Sequence, residues 1–444
     1  MKIRVLALIC LSSYLFLSCK HQKEIKNLSE KRIEEAAVTQ PPPVLPAEIP
    51  TGKTDSLLVS ILQQYPQYFD SILRKPDDYR LQIIYTQIDR GPNNMPVFTP
   101  YYYQVDPNRY FYPASTVKMP TALLALQKLR EMKLPGVNKF TTMVTDSAYS
   151  RQTPVFNDPT TPDGKPNVAQ YIRKIFMVSD NDAYNRLYEF LGQEYLNEQL
   201  RKKGYSSAEI IHHLEVVMTQ DENRHTNPVT FLGPAGDTLF HQPMQVSALA
   251  PVARHDLLGT GFERNGQLVN QPFDFSRKNR ISLEDLTGIL KAILFPQAVS
   301  EQQRFNIDAD DYRFVWKYMS QYPQESVYPP YDTSFQDAYA KYLYYGAEKG
   351  GLPKQFRIFN KIGDAYGFLV DAAYFADFGR KIEFMLSATI LANKDGVFND
   401  SKYDYETIGF PFMKNLGRVI YEYELKRTRK NAPDLNEFKL LYDK

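Results

Sequence analysis

Three extended runs follow one another near the C-terminal end of the chain, at residues 357–361, 368–375 and 382–392. In the last of them Ile382, Phe384, Leu386, Ala388 and Ile390 alternate with their neighbours, the period-two pattern of a strand with one face on a core. Two more extended runs lie far upstream, one carrying Leu81, Ile83 and Tyr85 and the other at residues 97–105, joined by the turn Gly91-Pro92-Asn93-Asn94. Between the two groups the pattern is helical: residues 121–129, then Val168, Ile172, Ile175 and Phe176, then a helix from about Ala183. Helices also bracket the whole, with Leu58, Ile61, Leu62 and Tyr65 in the first and Phe412, Leu416, Val419, Ile420 and Tyr423 on one face of the last. Helix, two strands, helices, three strands and helix is not a succession of βαβ units. It predicts an α+β fold whose antiparallel sheet is closed by the first and last portions of the chain.

The N-terminal region has a different character. Lys2 and Arg4 precede an apolar stretch, residues 5–17, too short to span a bilayer, and Ser18-Cys19 follows. Residues 1–19 resemble a bacterial lipoprotein signal peptide, which implies that Cys19 becomes the lipidated first residue of the mature chain; an ordinary secretory signal is the plainer alternative. The other cysteine, Cys10, lies inside the signal, so the mature chain is expected to have no disulfide, thiolate metal site or cysteine nucleophile. Residues 20–54, rich in Lys, Glu and Gln and then in proline, read as an extended tether. Residues 55–430 are expected to form the globular domain and 431–444 a C-terminal tail. With 53 Lys and Arg against 51 Asp and Glu, the charge does not suit a nucleic-acid-binding surface. Tyr101-Tyr102-Tyr103 suits sugar binding or ordinary strand packing.

Three short motifs carry chemistry. Ser115-Thr116-Val117-Lys118 stands where an extended aromatic segment gives way to a helix, so its serine and lysine share one face. An amine beside a hydroxyl is the minimum that makes serine a nucleophile without histidine. Ser179-Asp180-Asn181 falls between two helices, where such residues also serve as caps. Lys361-Ile362-Gly363 lies on one of the late strands and leads into a glycine-spaced hairpin; the rival Lys349-Gly350-Gly351 and Lys394-Asp395-Gly396 lack that setting. No His-Glu-x-x-His, Gly-x-Ser-x-Gly or glycine-rich phosphate loop occurs, so neither a metal nor another cofactor is expected.

In this order the three motifs resemble the active-site set of the serine β-lactamases and penicillin-binding proteins, closest to the class A β-lactamase type. The separation of 64 residues between the two serines is near that of class A enzymes, whereas the 182 residues from Ser179 to Lys361 exceed theirs. The excess falls in two apparent insertions, near 231–279 and 300–354. The resemblance implies an antiparallel sheet flanked by helices plus an all-helical subdomain. It also implies Ser115 as nucleophile, Lys118 as its base, Ser179 as proton carrier, and Asn181 and Lys361 as substrate contacts. The oxyanion would sit against the backbone N–H groups of Ser115 and Asp364, the residue after Gly363. Implied partners are a β-lactam or peptidoglycan-derived substrate and, through Cys19, a membrane of the cell envelope.

Two departures matter. Ile362 stands where relatives carry a hydroxyl that contacts the substrate carboxylate, and Asp364 beside it adds negative charge. For the glutamate that activates deacylating water, Glu215 fits by distance from Ser179, and Glu222 fits by its polar, loop-like setting. Residues 210–214, just before Glu215, look partly like a strand. Three functions follow: a serine hydrolase of the class A β-lactamase type, a peptidoglycan peptidase or transpeptidase, and a non-catalytic binding lipoprotein with this fold.

Overall fold

The structure, a computed structural model, describes residues 52–346 and 348–444. The signal peptide, Cys19 and nearly all of the tether lie outside the described residues. Helices α1 (Ser56–Gln63) and α2 (Pro66–Leu73) lead into strands β1 (Gln82–Arg90) and β2 (Pro96–Tyr103). A 3₁₀ turn (Ala114–Val117) opens α3 (Lys118–Met132), followed by β3 (Thr142–Thr145), α4 (Val168–Val178), α5 (Asn181–Leu191), α6 (Gln193–Lys202) and α7 (Gln220–Arg224). Next come β4 (Val229–Leu232), β5 (Thr238–Gln242), four short strands β6 to β9 between residues 257 and 274, α8 (Leu283–Leu294) and α9 (Ala309–Ser320). Strands β10 (Phe356–Ala365), β11 (Phe368–Asp377) and β12 (Ile382–Leu391), the short β13 (Val397–Phe398) and helix α10 (Phe410–Lys426) complete the order.

The main sheet runs β10-β11-β12-β1-β2, antiparallel throughout, with Ile84 of β1 opposite Ser387 of β12. The early and late strands therefore meet, as their pattern predicts. Alternation sorts side chains between two cores. Phe384, Leu386, Ala388 and Ile390 face α1, α2 and α10, where Leu62, Phe69, Leu416 and Ile420 are buried. Met385, Val370, Ala372 and Tyr374 face the opposite core, formed largely by α3, α4, α5 and α8. Tyr101 stacks on Tyr85 across the β1–β2 pair and Tyr103 is buried, so packing accounts for this part of the tyrosine run.

The structure moves two boundaries. Lys53 already pairs with Val105, so the domain begins before residue 55. The expected C-terminal tail is part of the core: Phe438 is fully buried against Phe295, Trp316, Phe359 and Tyr374. Its physical reason is a pair of apolar side chains, Leu435 and Phe438, of which the burial of Phe438 alone contributes roughly 2–3 kcal/mol. Both apparent insertions are woven into the domain as well, since Phe231, Phe262 and Phe275 from the first and Val315, Trp316 and Met319 from the second lie in the larger core.

Candidate active site

Ser115 sits in the 3₁₀ turn, where residues three apart eclipse, so Lys118 lies on its side of the chain. The turn is tied by the Thr116 N–H and hydroxyl, which both donate to the Pro113 carbonyl, at 3.0 and 2.7 Å. Pro120 falls in the first turn of α3, where a helix has no partner for the missing N–H. Ala114, immediately before the serine, holds a left-handed φ of 46°, a conformation a non-glycine residue keeps only when its surroundings enforce it. The Ser115 hydroxyl makes no hydrogen bond with another described residue and faces a cavity of about 460 Å³.

Lys118 is 0 % exposed, and its amine is held by three oxygens. It donates to the Ser179 carbonyl, to Asn181 Oδ1 at 2.5 Å and to Ser179 Oγ at 3.3 Å. Burial pushes this amine down to about 7, against the opposing pull of Asp180, Asp364 and Glu215. Lys361, on the edge strand β10, is equally buried and donates to Ser179 Oγ and to the Ile362 carbonyl, both at 2.8 Å. Burial first, and then the Lys118 amine, holds it well below the ordinary lysine range. The Ser179 hydroxyl thus lies between two amines, a geometry suited to moving a proton.

Ser179 caps α4 in the left-handed region, with φ 59°, and reverses the chain into α5. Asp180 accepts from the Ala183 N–H at 2.7 Å and so caps α5, while Ser179 and Asn181 turn toward Lys118. The capping reading and the site reading both hold, for different residues of one motif. Gly363 brings β10 against the Ser115 turn. A Cβ there would lie 2.6 Å from the Pro113 carbonyl oxygen and 2.8 Å from the Ser115 nitrogen, so only glycine allows this approach. Asp364, next on the strand, is exposed and accepts from the Tyr342 hydroxyl at 2.6 Å.

The two candidate glutamates separate clearly. Asn181 Nδ2 donates to Glu215 Oε2 at 2.6 Å, so this carboxylate stands one side chain from the Lys118 amine. Glu222 is instead a helix cap: it accepts from the Thr219 N–H at 2.8 Å and the Ser150 hydroxyl at 2.9 Å. Burial raises its carboxyl, but these hydrogen bonds outweigh it and hold the group below the ordinary range.

The strand expected just before Glu215 is absent. Only its extended run survives, because side chains replace a partner strand. Ile210 N–H donates to Asn197 Oδ1, Ile211 and His212 N–H to Asn279 Oδ1, His213 N–H to Asn223 Oδ1 and Leu214 N–H to Asn185 Oδ1, at 2.8–3.1 Å. These four asparagines come from α6, the segment before α8, α7 and α5, and sequence inspection did not single them out. It also missed Tyr339, Tyr342 and Lys349, which line the cavity from the second insertion. That segment is fastened beneath the site by Lys341, buried, whose amine donates to Asn360 Oδ1 at 2.6 Å; Asn360 in turn donates to Asp371 Oδ1 at 2.8 Å. Among the described residues, no group of three His, Cys, Asp or Glu side chains is placed to hold a metal ion.

Sheet, helices and the order of the motifs along them define a β-lactamase-like α+β domain. Residues 95–307, just under half of the chain, match the model of the family described as the Beta-lactamase enzyme family, which supports a place in the serine β-lactamase/transpeptidase superfamily. A search of curated proteins gave no match. Similar solved structures include an ancestral class A β-lactamase at 15% identity, covering 82% of this chain and 99% of its own, with a TM-score of 0.42. A class A β-lactamase from Clostridium kluyveri DSM 555 is also 15% identical, over 80% of this chain and 98% of its own, with a TM-score of 0.45. A β-lactamase from Xanthomonas campestris is 14% identical over 83% and 99%, with a TM-score of 0.42.

Proposed function

We propose that the chain is a serine hydrolase that is acylated on Ser115 by a β-lactam or a related amide and then releases the acyl group to water. The observation that carries this reading is the Lys118 amine, fully buried, held by Ser179 and Asn181, and lowered to about 7. At neutral pH a large fraction of it is unprotonated, as a base must be. Ser115 Oγ attacks the acyl carbon and passes its proton to Lys118. The proton returns through Ser179 Oγ to the leaving nitrogen as the C–N bond breaks. Negative charge on the carbonyl oxygen is met by the N–H groups of Ser115 and Asp364, on the two segments that Gly363 holds together. Glu215 then takes a proton from the attacking water, and Ser115 leaves as the alcohol.

The test is intact-mass analysis of the domain with a fluorescent penicillin and with its uncharged methyl ester. Rapid labelling followed by release, lost in Ser115→Ala and trapped as an adduct in Glu215→Gln, is the expected result. A persistent adduct in the unaltered protein favours a penicillin-binding peptidase. No adduct with any acyl donor sinks both enzyme readings and leaves the binding module. The domain's place in the cell envelope, on residues 20–54 and a lipidated Cys19, belongs to the same proposal. Radiolabelled palmitate that enters the wild type equally with Cys19→Ala would refute it.

A further inference from the structure

The charge of the reactive cavity selects its substrate, and this inference rests on the acyl-enzyme reading above. The cavity beside Ser115 is closed on its far side by the second insertion and by the start of α10. From β10, Asp364 presents an exposed carboxylate at its wall, oriented by the Tyr342 hydroxyl. Opposite, Glu406 is exposed and makes no ion pair or hydrogen bond with another described residue. Glu348 also lines the cavity, but Lys414 and Arg418 take its two oxygens, each at 2.6 Å. Lys349 is the one cation among the described lining residues.

The two lysines of the motifs do not offset this. Neither lines the cavity, and the Lys361 amine is turned onto Ser179 Oγ and the Ile362 carbonyl. Ile362, which does line it, offers no polar side-chain atom. An anionic group next to the scissile bond would therefore meet the carboxylates of Asp364 and Glu406 against the single lining amine of Lys349. Two like charges at the wall of a half-open cleft change a rate by roughly tenfold.

We infer that the substrate is an acyl donor without a carboxylate beside the scissile bond, carrying instead a neutral or cationic leaving group. Its chemistry balances in the ordinary way. The Ser115 Oγ–acyl bond forms, the acyl–leaving-group bond breaks, and the proton of Ser115 ends on the departing atom through Lys118 and Ser179.

Three thioesters with one N-acyl-D-alanyl group and different leaving thiols test this: thioglycolate, its methyl ester, and cysteamine. Second-order rates of Ser115 adduct formation are read by intact mass, beside an uncharged fluorophosphonate. The methyl ester and cysteamine donors should react about tenfold faster than thioglycolate, and Asp364→Asn with Glu406→Gln should shrink that ratio to below about threefold. Equal or faster reaction of thioglycolate in the wild type overturns the inference, as does a ratio unmoved by the double substitution. Labelling by the fluorophosphonate but by none of the thioesters overturns it too, while the nucleophile assignment stands. No labelling even by the fluorophosphonate removes the enzyme reading and this inference with it.

Discussion

Replacing Lys118 by methionine, an unbranched side chain of similar size, tests the neutral amine without any substrate. The substitution takes a donor from the Ser179 carbonyl and from Asn181 Oδ1, a loss that does not vary between pH 7 and 9. What varies is the proton. In the unfolded chain a lysine titrates near its ordinary value of about 10.4, whereas in the folded protein Lys118 titrates at about 7. Between these values the unfolded state binds more protons, so stability rises with pH there. The penalty for burying the amine is full below pH 7 and is relieved as pH climbs toward 10. Integrated from pH 7 to 9, the wild type should gain about 2 kcal/mol over Lys118→Met, from the shift to about 7. Lys341 remains in both proteins and cancels to first order; Lys361, which the Lys118 amine also lowers, rises in the variant and so adds to the difference rather than opposing it. Guanidinium chloride unfolding at pH 7, 8 and 9 with a shared slope gives the difference directly. Parallel curves would mean that the native amine keeps its proton and that Ser115 has no base beside it.

Other substitutions probe separate parts of the site. Gly363→Ala forces β10 away from the Ser115 turn; acylation should fall by roughly a hundredfold with the melting temperature little changed, and wild-type rates would refute the close-approach argument. Glu222→Ala removes a helix cap and should cost about 1 kcal/mol in denaturant unfolding while leaving the acyl-enzyme lifetime unchanged. Asn279→Ala leaves the buried N–H groups of Ile211 and His212 without an acceptor. It should cost about 2–4 kcal/mol and lengthen the acyl-enzyme lifetime while acylation stays within about twofold. A lifetime equal to the wild type's would separate the loop from deacylation.

Much of the fold was legible because the strands of the sheet announce themselves. β12 keeps Ile382, Phe384, Leu386, Ala388 and Ile390 on one phase, and β10 to β12 follow one another with short turns, so the antiparallel arrangement and its closure by β1 follow from order alone. Ser115, Lys118 and the two later motifs were legible as residue types in sequence, and the structure brings the amines of Lys118 and Lys361 onto one hydroxyl, that of Ser179. What resisted reading was long-range and polar. Four asparagines spread from residue 185 to 279 supply hydrogen bonds to one five-residue run, and no periodicity links them. Phe438 belongs to the core through contacts with residues from four distant segments, while its neighbours are polar. The cavity wall comes from an insertion whose Tyr-rich sequence has no regular period, so its tyrosines and Lys349 could not be assigned to a site. Glu215 and Glu222 were equal candidates until one proved to satisfy a helix end.

The asparagine-held run before Glu215 has a consequence for how the molecule responds to heat. A strand in a sheet is released only when its whole ladder gives way, but this run hangs by side chains from four separate segments. None of those segments carries Ser115 or Lys118. Loosening α6, α7 or the start of α8 frees the glutamate loop while the Ser115 turn and Asn181, at the start of α5, stay in place. Capture and release would then fail at different temperatures. In the interval between them the warmed protein would still take up an acyl group but no longer let it go, and a catalyst would become a single-use trap.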